Sequence, residues 1–339
     1  MPRLVQWEQQ IGRRLRLRDL FVFFTVVEYG SMAKAAAKLG VSTPSISELI
    51  AALEHALGVR LLDRTPKGVV TTAYGEALLA RGRAAFDELR QGIRDIEFIA
   101  DPHAGELRIG CPESLAAGFL VPVLARFSKD HPRVRFQVVP VHQPTVEFPE
   151  LQERKIDLVF ARLAKDPVQG RLTEELNAEV LFNDRYALVV GSESRWARRR
   201  RVELADLVDE PWIMTPLDAL GDSFVVKAFR TRGLKLPSLV ITTFSIHLRN
   251  NLVGSGEFIT ALPGSVLRLY RKRHSLKELP IELSVQSPVA VVTLRNRTLG
   301  PTVQLFIRCA REVAQSFAGQ PRNDLKGQSH RRKSRRSLT

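Results

Sequence analysis

Ser42, Thr43, Pro44, Ser45, Ser47 and Glu48 crowd the start of a segment whose apolar residues are Ile46, Leu49, Ile50, Leu53 and Leu57. Short polar side chains of this kind hydrogen-bond; they do not attack or transfer groups. On one face at the start of a helix they suit phosphates and base edges in a DNA groove. Ser31, which opens the preceding segment, joins them in the candidate DNA-contacting set.

The elements that would position these residues can be read from spacing. A first helix carries Leu17, Leu20, Phe21, Phe24 and Val27, the rhythm of one buried stripe. Tyr29-Gly30 ends it. Ser31 is a good N-cap for a second helix, Met32 to Leu39, rich in small Ala residues that let another helix approach. Gly40 ends that helix. Ser42 or Thr43 caps the third, Pro44 fits its first turn, and Gly58 stops it. Three helices with this punctuation predict a helix-turn-helix whose third helix enters the major groove.

Two short apolar runs then flank Pro66-Lys67-Gly68, a turn signal. This predicts a hairpin wing with Arg64 and Lys67 near its tip, in reach of phosphates. Thr72 caps a longer segment in which Leu79, Gly82, Phe86, Leu89, Ile93, Ile96 and Ala100 recur in steps of three and four. That is a coiled-coil seam, read as a dimerisation helix. Two copies would present two recognition helices to successive major grooves, so the operator should be roughly palindromic.

With these elements in place, the chain resembles a LysR-type transcriptional regulator. The residues that carry the resemblance are Ser31, Ala35-Ala36, Leu39-Gly40-Val41-Ser42 and Pro44-Ser45-Ile46-Ser47. They continue through Leu53-Glu54, Leu57-Gly58, Leu61-Leu62-Asp63-Arg64 and Thr71-Thr72-Ala73-Tyr74-Gly75. The family usually has Gln where Thr43 stands, often a basic residue at Glu48, and Phe at Leu62. The first two positions commonly face bases or phosphates. The resemblance extends from Leu17 to about Phe317 and implies a homodimer or homotetramer on double-stranded operator DNA.

The chain has 339 residues, 44% of them apolar, and a net charge of +15. That length predicts at least two domains, and the charge suits a polyanion. The charge is uneven: residues 1–100 hold 14 basic against 11 acidic side chains, and residues 320–339 hold 7 against 1. The tail with Arg331-Arg332-Lys333-Ser334-Arg335-Arg336 is expected to be disordered, and Arg198-Arg199-Arg200-Arg201 to form an exposed loop. No apolar run is long enough for a transmembrane helix, and Met1 to Arg18 lacks the apolar stretch of a secretory signal. Two cysteines, Cys111 and Cys309, make no metal set and no disulfide framework. The expectation is a cytoplasmic protein with no metal, no cofactor and no membrane partner.

From Glu106 the pattern alternates short strands and helices: strand Leu107 to Gly110, helix Leu115 to Phe127, strand Val134 to Val139, helix Val146 to Glu153, strand Ile156 to Ala161. Alternation predicts a parallel sheet with helices on both faces. Ala187 to Val190 adds a strand, and a second lobe starts near Val202 to Trp212. Val289 to Leu294 and Thr302 to Phe317 return to the first lobe. The predicted fold class is α/β: a winged helix-turn-helix with a long linker helix, then a two-lobed domain. The lobed layout also resembles the LysR-type effector domain, itself similar to periplasmic solute-binding proteins. The expected domains are a 1–16 extension, the 17–72 winged helix-turn-helix, the 73–102 linker helix, the 105–319 effector-binding domain and the 320–339 tail.

Ligands in open α/β sheets sit beyond the C-terminal strand ends. Gly110-Cys111-Pro112-Glu113-Ser114 follows the first strand, Gln143 to Thr145 the second, and Arg162 the third. Ser114 matches the family's ligand-contacting position, and Arg162 suits a carboxylate. Thr215 and Ser245 would face them from the second lobe. The expected effector is therefore a small carboxylated metabolite. Two other classes remain open: an effector-independent DNA-binding or nucleoid protein, and an enzyme on the C-terminal half. No G-x-S-x-G, H-E-x-x-H or P-loop sequence supports the enzyme.

Overall fold

The computed structural model describes residues 15–66, 68–141, 148–163, 174–216, 224–237, 239–283 and 286–318. The chain divides into two compact units, residues 1–90 and 91–339.

In the first unit, α1 (Leu17–Tyr29), α2 (Met32–Leu39) and α3 (Thr43–Leu57) precede a hairpin of β1 (Leu62–Thr65) and β2 (Gly68–Thr71). Gly30, Gly40 and Gly58 all adopt the left-handed conformation that ends a helix. The Ser31 hydroxyl accepts from the Lys34 amide, and the Ser42 hydroxyl from the Ser45 amide, so both serines cap as their spacing predicts. Phe23, Val26, Ala35, Ile46 and Leu53 form the buried centre.

The buried stripe of α1 is not the expected one. Leu20, Val22, Phe23 and Val26 go inward, whereas Leu17 and Phe21 are 53% and 51% exposed. This helix is apolar nearly all round, so periodicity offers two stripes and tertiary packing selects between them. Its other apolar edge turns toward α4 (Ala73–Ala100): the Phe24 and Phe21 rings lie 5.4 and 6.3 Å from that of Phe86.

The predicted seam of α4 serves two purposes. Leu79 is buried and Phe86 half-buried within the first unit. Further along, the predicted Leu89, Ile93 and Ile96, joined by Ile99, which the seam as read from spacing did not include, are 48–80% exposed, an apolar stripe left uncovered by the described residues.

The second unit is built on one sheet of nine strands. They are β3 (Ala104–Cys111), β4 (Arg133–Pro140), β5 (Leu158–Arg162), β6 (Leu176–Gly191), β7 (Trp212–Met214), β8 (Leu239–Thr242), β9 (Ile259–Pro263), β10 (Leu276–Glu278) and β11 (Gln286–Leu294). Their spatial order is β4-β3-β5-β11-β6-β9-β7-β8, with β10 also on β6. The sheet is mixed, not all parallel. β3 is parallel to β4 and β5, and β7 to β8 and β9, but β6 and β11 run antiparallel to their neighbours. These two return strands build the architecture. β6 spans 16 residues where the apolar run alone suggested Ala187 to Val190. Residues Leu176 to Arg185 pair with β11, and Tyr186 to Gly191 pair with β9 and β10. One strand therefore serves both lobes.

The helices fill the two lobes. In the first, α5 (Val121–Asp130) and α10 (Pro301–Ala318) cover a core centred on Phe119, Phe160 and Phe306. The helix expected from Leu115 to Phe127 begins at Glu113 and passes through a π-helical stretch, Ala116–Leu120, before α5. The helix expected from Val146 to Glu153 is seen as the short α6 (Pro149–Gln152); residues 142–147 lie outside the described ones. In the second lobe, α7 (Phe224–Thr231) packs with Trp212 and Leu207. α8 (Ile246–Gly254) and α9 (Gly264–Tyr270) enclose a further core around Val189, Ile213 and Leu262.

The last turns of α4 are tied to the first lobe by charge. Asp157, which is buried, accepts from Arg94 of α4 and from Arg297, both at 3.0 Å, and from the Arg108 amide at 2.9 Å. Burying a carboxylate is costly unless charges and donors surround it, and here three groups do.

Candidate functional site

Two sites emerge, one on each unit. On the first, the start of α3 is an exposed turn. Thr43, Pro44 and Glu48 are exposed, and Ser45 is half-buried with its hydroxyl 2.9 Å from that of Ser42. Ser42 and Ser31 spend one acceptor lone pair on helix capping. Ser47 turns back toward α2 and donates to the Met32 sulfur at 3.2 Å. Of the predicted set, Thr43, Pro44 and Glu48 thus have the freest access to a groove.

The wing is fixed to that helix by a residue whose role the sequence did not reveal. Glu54, on α3, accepts from the Leu61 and Leu62 amides at 2.7 and 3.1 Å. This sets β1 relative to the recognition helix. Arg64 is exposed and lies opposite Val69 in the hairpin. Lys67 falls outside the described residues. Lys34 and Lys38, on α2, are further cations on this unit that spacing alone did not single out.

On the second unit, the segments that follow β3, β5 and β8 meet where the two lobes face each other. The structure brings Ser114 and Arg162 together: the Arg162 Nε lies 3.4 Å from the Ser114 hydroxyl, as a donor. Arg162 does not wait for a ligand carboxylate, however. Its Nη2 donates to Asp184 at 2.8 Å, and both side chains are under a tenth exposed. Burial works against the Arg162 charge, but Tyr186 and Asp184 outweigh it and shift its pKa upward. The guanidinium carbon also sits 5.4 Å from the centre of the Tyr186 ring. Asp184 is itself shared, because the Ser265 amide donates to its other oxygen at 3.0 Å. Asp184 lies at the point where β6 passes from one lobe to the other, so it joins Arg162 of the first lobe to Ser265 of α9 in the second.

Ser245 caps α8, its hydroxyl accepting from the Leu248 amide. The first amide of that helix, Ile246 N–H, donates to Glu113 at 2.7 Å. Thr215 follows β7 directly and is half-buried beside the β8 end. Gln143 and Thr145 fall outside the described residues. Glu113, Asp184 and Ser265 are cleft residues that sequence reasoning missed. The one available signal was an acid, Asp184, inside a run that otherwise reads as strand.

Among the described residues no cluster of His, Cys, Asp or Glu could hold a metal ion. Burial pushes the Cys111 thiol far above its ordinary range, so it packs as an apolar group. No helix among the described residues is long and apolar enough to cross a membrane.

Comparison with known proteins agrees with this arrangement. Residues 17–76 match the bacterial regulatory helix-turn-helix protein family of lysR type, and residues 100–315 match the LysR substrate binding domain. The chain is 27% identical over 308 residues to the HTH-type transcriptional regulator GbpR of Azospirillum brasilense, covering 89% of this chain and 87% of that one. It is 27% identical over 293 residues to the transcriptional dual regulator GltC of Bacillus subtilis, covering 86% and 95%. Its fold is similar to that of a full-length OxyR variant from Pseudomonas aeruginosa, with a TM-score of 0.60 at 17% identity over 88% of this chain and 97% of the other. A winged helix-turn-helix followed by a two-lobed substrate-binding domain, matched over both parts, places the chain in the LysR family of DNA-binding transcriptional regulators.

Proposed function

We propose that this regulator grips a roughly palindromic operator as a homodimer or homotetramer, and that a small molecule in the interlobe cleft controls the grip. Thr43, Pro44, Ser45 and Glu48 read base edges, Ser47 joins them only by releasing its bond to the Met32 sulfur, Ser31 and Ser42 hold the helix starts against the backbone, and Arg64 with Lys67 engages phosphates. The observation that carries this is the α3 start, where capping by Ser42 leaves Thr43, Pro44 and Glu48 exposed. The uncovered stripe of Leu89, Ile93, Ile96 and Ile99 supports pairing of two α4 helices. The protein acts in the cytoplasm and catalyses no reaction.

The effector enters among Ser114, Gln143, Thr145, Arg162, Thr215 and Ser245. An acid remains the proposed class. It would compete with Asp184 for Arg162, so its binding and the lobe-to-lobe contacts are coupled.

The test combines two measurements. Thr43→Ala should weaken binding to the protein's own upstream DNA more than binding to random DNA, whereas Arg64→Ala should weaken both and flatten the salt dependence. Equal losses in the two variants overturn the assignment. A thermal-shift screen of aromatic and sugar acids against their amides tests the effector class. Equal stabilisation by acid and amide removes the carboxylate from the proposal.

A further inference from the structure

Arg162 and Asp184 do not stand on neighbouring strands. β11 runs between them: its Val289 lies opposite Arg162 of β5, and its Ser287 opposite Asp184 of β6. Phe160 and Phe182, each two residues earlier on its strand, belong to the first-lobe core, so Arg162 and Asp184 point to the same face of the sheet. Their backbones are about 10 Å apart, two strand spacings, and the side chains reach over β11 to meet at 2.8 Å. Arg162 ends β5 and Ser114 follows β3, the kind of strand end where ligands of open α/β sheets sit. The acid on this arginine comes instead from within a strand of the chain itself.

Each member of the pair has further partners. The Arg162 Nε donates to Ser114 at 3.4 Å, and its Nη2 donates to Asp184 and, at 3.5 Å, to the Ser265 hydroxyl. Asp184 takes two donors from Ser265 besides: the amide on one oxygen at 3.0 Å and the hydroxyl on the other. Its carboxylate therefore keeps two hydrogen bonds when the guanidinium is withdrawn. Both side chains are buried, where an acid stripped of every donor would be costly. Ser265 removes much of that cost.

We propose that Asp184 is a resident stand-in for the effector's carboxylate, and that Ser265 is the positioning residue that lets it be displaced. This rests on the assignment of the interlobe cleft as the effector site. In the empty site Asp184 neutralises Arg162 and joins it to Ser265 of the second lobe. An effector acid that spans Nε and Nη2 with its two oxygens replaces Ser114 and Asp184 as acceptors, in the two-pronged geometry that arginine favours. Asp184 then stays with Ser265, and the tie from Arg162 to the second lobe is released. The site is thus held shut by its own acid until an outside acid takes the arginine.

The test titrates the full chain with acetate and benzoate and follows the melting temperature. Acetamide, benzamide and sodium chloride at matched ionic strength are the controls. Asp184→Asn keeps the side-chain size and removes the competing charge. It should bind the acids at least about tenfold more tightly than the unaltered chain, because Arg162 then lacks that carboxylate. Adding Arg162→Gln should abolish the gain. Ser265→Ala takes one donor from Asp184, which then depends more on Arg162, so the acids should bind about fivefold more weakly. Acids that stabilise the unaltered chain above their amides, yet bind Asp184→Asn no more tightly, overturn the proposal and leave the acid assignment of the cleft standing. Acids that stabilise neither chain above their amides overturn both. If Asp184→Asn does not fold, Ser265→Ala decides alone, and binding as tight as in the unaltered chain overturns the proposal.

Discussion

Glu113 of the first lobe and Ile246 of the second, 133 positions apart, are joined by a 2.7 Å hydrogen bond across the cleft. The carboxylate sits at the start of α8, where helix amides are unpaired and negative charge is favoured. Glu113→Ala should free the first turn of α8 by about 1 kcal/mol, so its amides exchange with deuterium about fivefold faster. Glu113→Gln, which keeps an acceptor oxygen, should fall between. Unchanged exchange in the alanine variant would mean that the helix start is held by its Ser245 cap alone.

The Asp157 cluster makes a different prediction. Asp157→Ala leaves Arg297, its side chain 2% exposed, without that carboxylate. Such losses cost about 3–5 kcal/mol. Arg94→Ala removes a more accessible partner and should cost about 1–3 kcal/mol. Urea unfolding of the full chain ranks the two, and equal costs would contradict the burial argument.

Two glycines in α4 should respond with opposite signs. A Cβ on Gly82 would fall 2.2 Å from the Phe24 ring, so Gly82→Ala should destabilise by about 1–3 kcal/mol as the ring is displaced. Gly92 has no atom within 4 Å of the corresponding point. Gly92→Ala should stabilise by up to about 1 kcal/mol through helix propensity. Thermal melts of both variants give the signs directly.

Acid should weaken the protein partly through Glu179. Its carboxylate takes a two-pronged bond from Arg311, which holds its pKa below the ordinary value. A group depressed in the folded state stabilises above its unfolded pKa and loses that contribution as pH falls through the folded value. Glu179→Gln should therefore flatten the decline in stability as pH falls through and below the ordinary carboxylate range. The pair is partly exposed, so the effect is modest. A variant with an unchanged pH profile would show the pair contributes nothing.

The first unit was legible because its boundaries are written in residue type. Ser31, Gly40, Ser42, Pro44 and Gly58 each do locally what their chemistry favours, and α2 and α3 begin and end where those residues stand. The α1 stripe was not legible, since Leu20, Phe21, Phe23 and Phe24 leave two faces equally apolar. In the second unit the strand pattern identified the lobes but not strand direction. β6 alternates little because it is buried on both faces only in its second half. The cleft was half readable. Ser114 and Arg162 follow strands and can be placed by that rule. Asp184 and Glu113 act through partners 22 and 133 positions away, which spacing cannot reveal.

β6 runs unbroken through both lobes, its Leu176 to Arg185 part in one and its Tyr186 to Gly191 part in the other. A fragment ending after Arg185 would strip β9 and β10 of the strand they bond to. It would also leave bare edges of the kind that recruit stray chains and aggregate. The effector half can therefore be transplanted into a chimaera only whole, and a proteolytic nick within β6 would disable both halves at once.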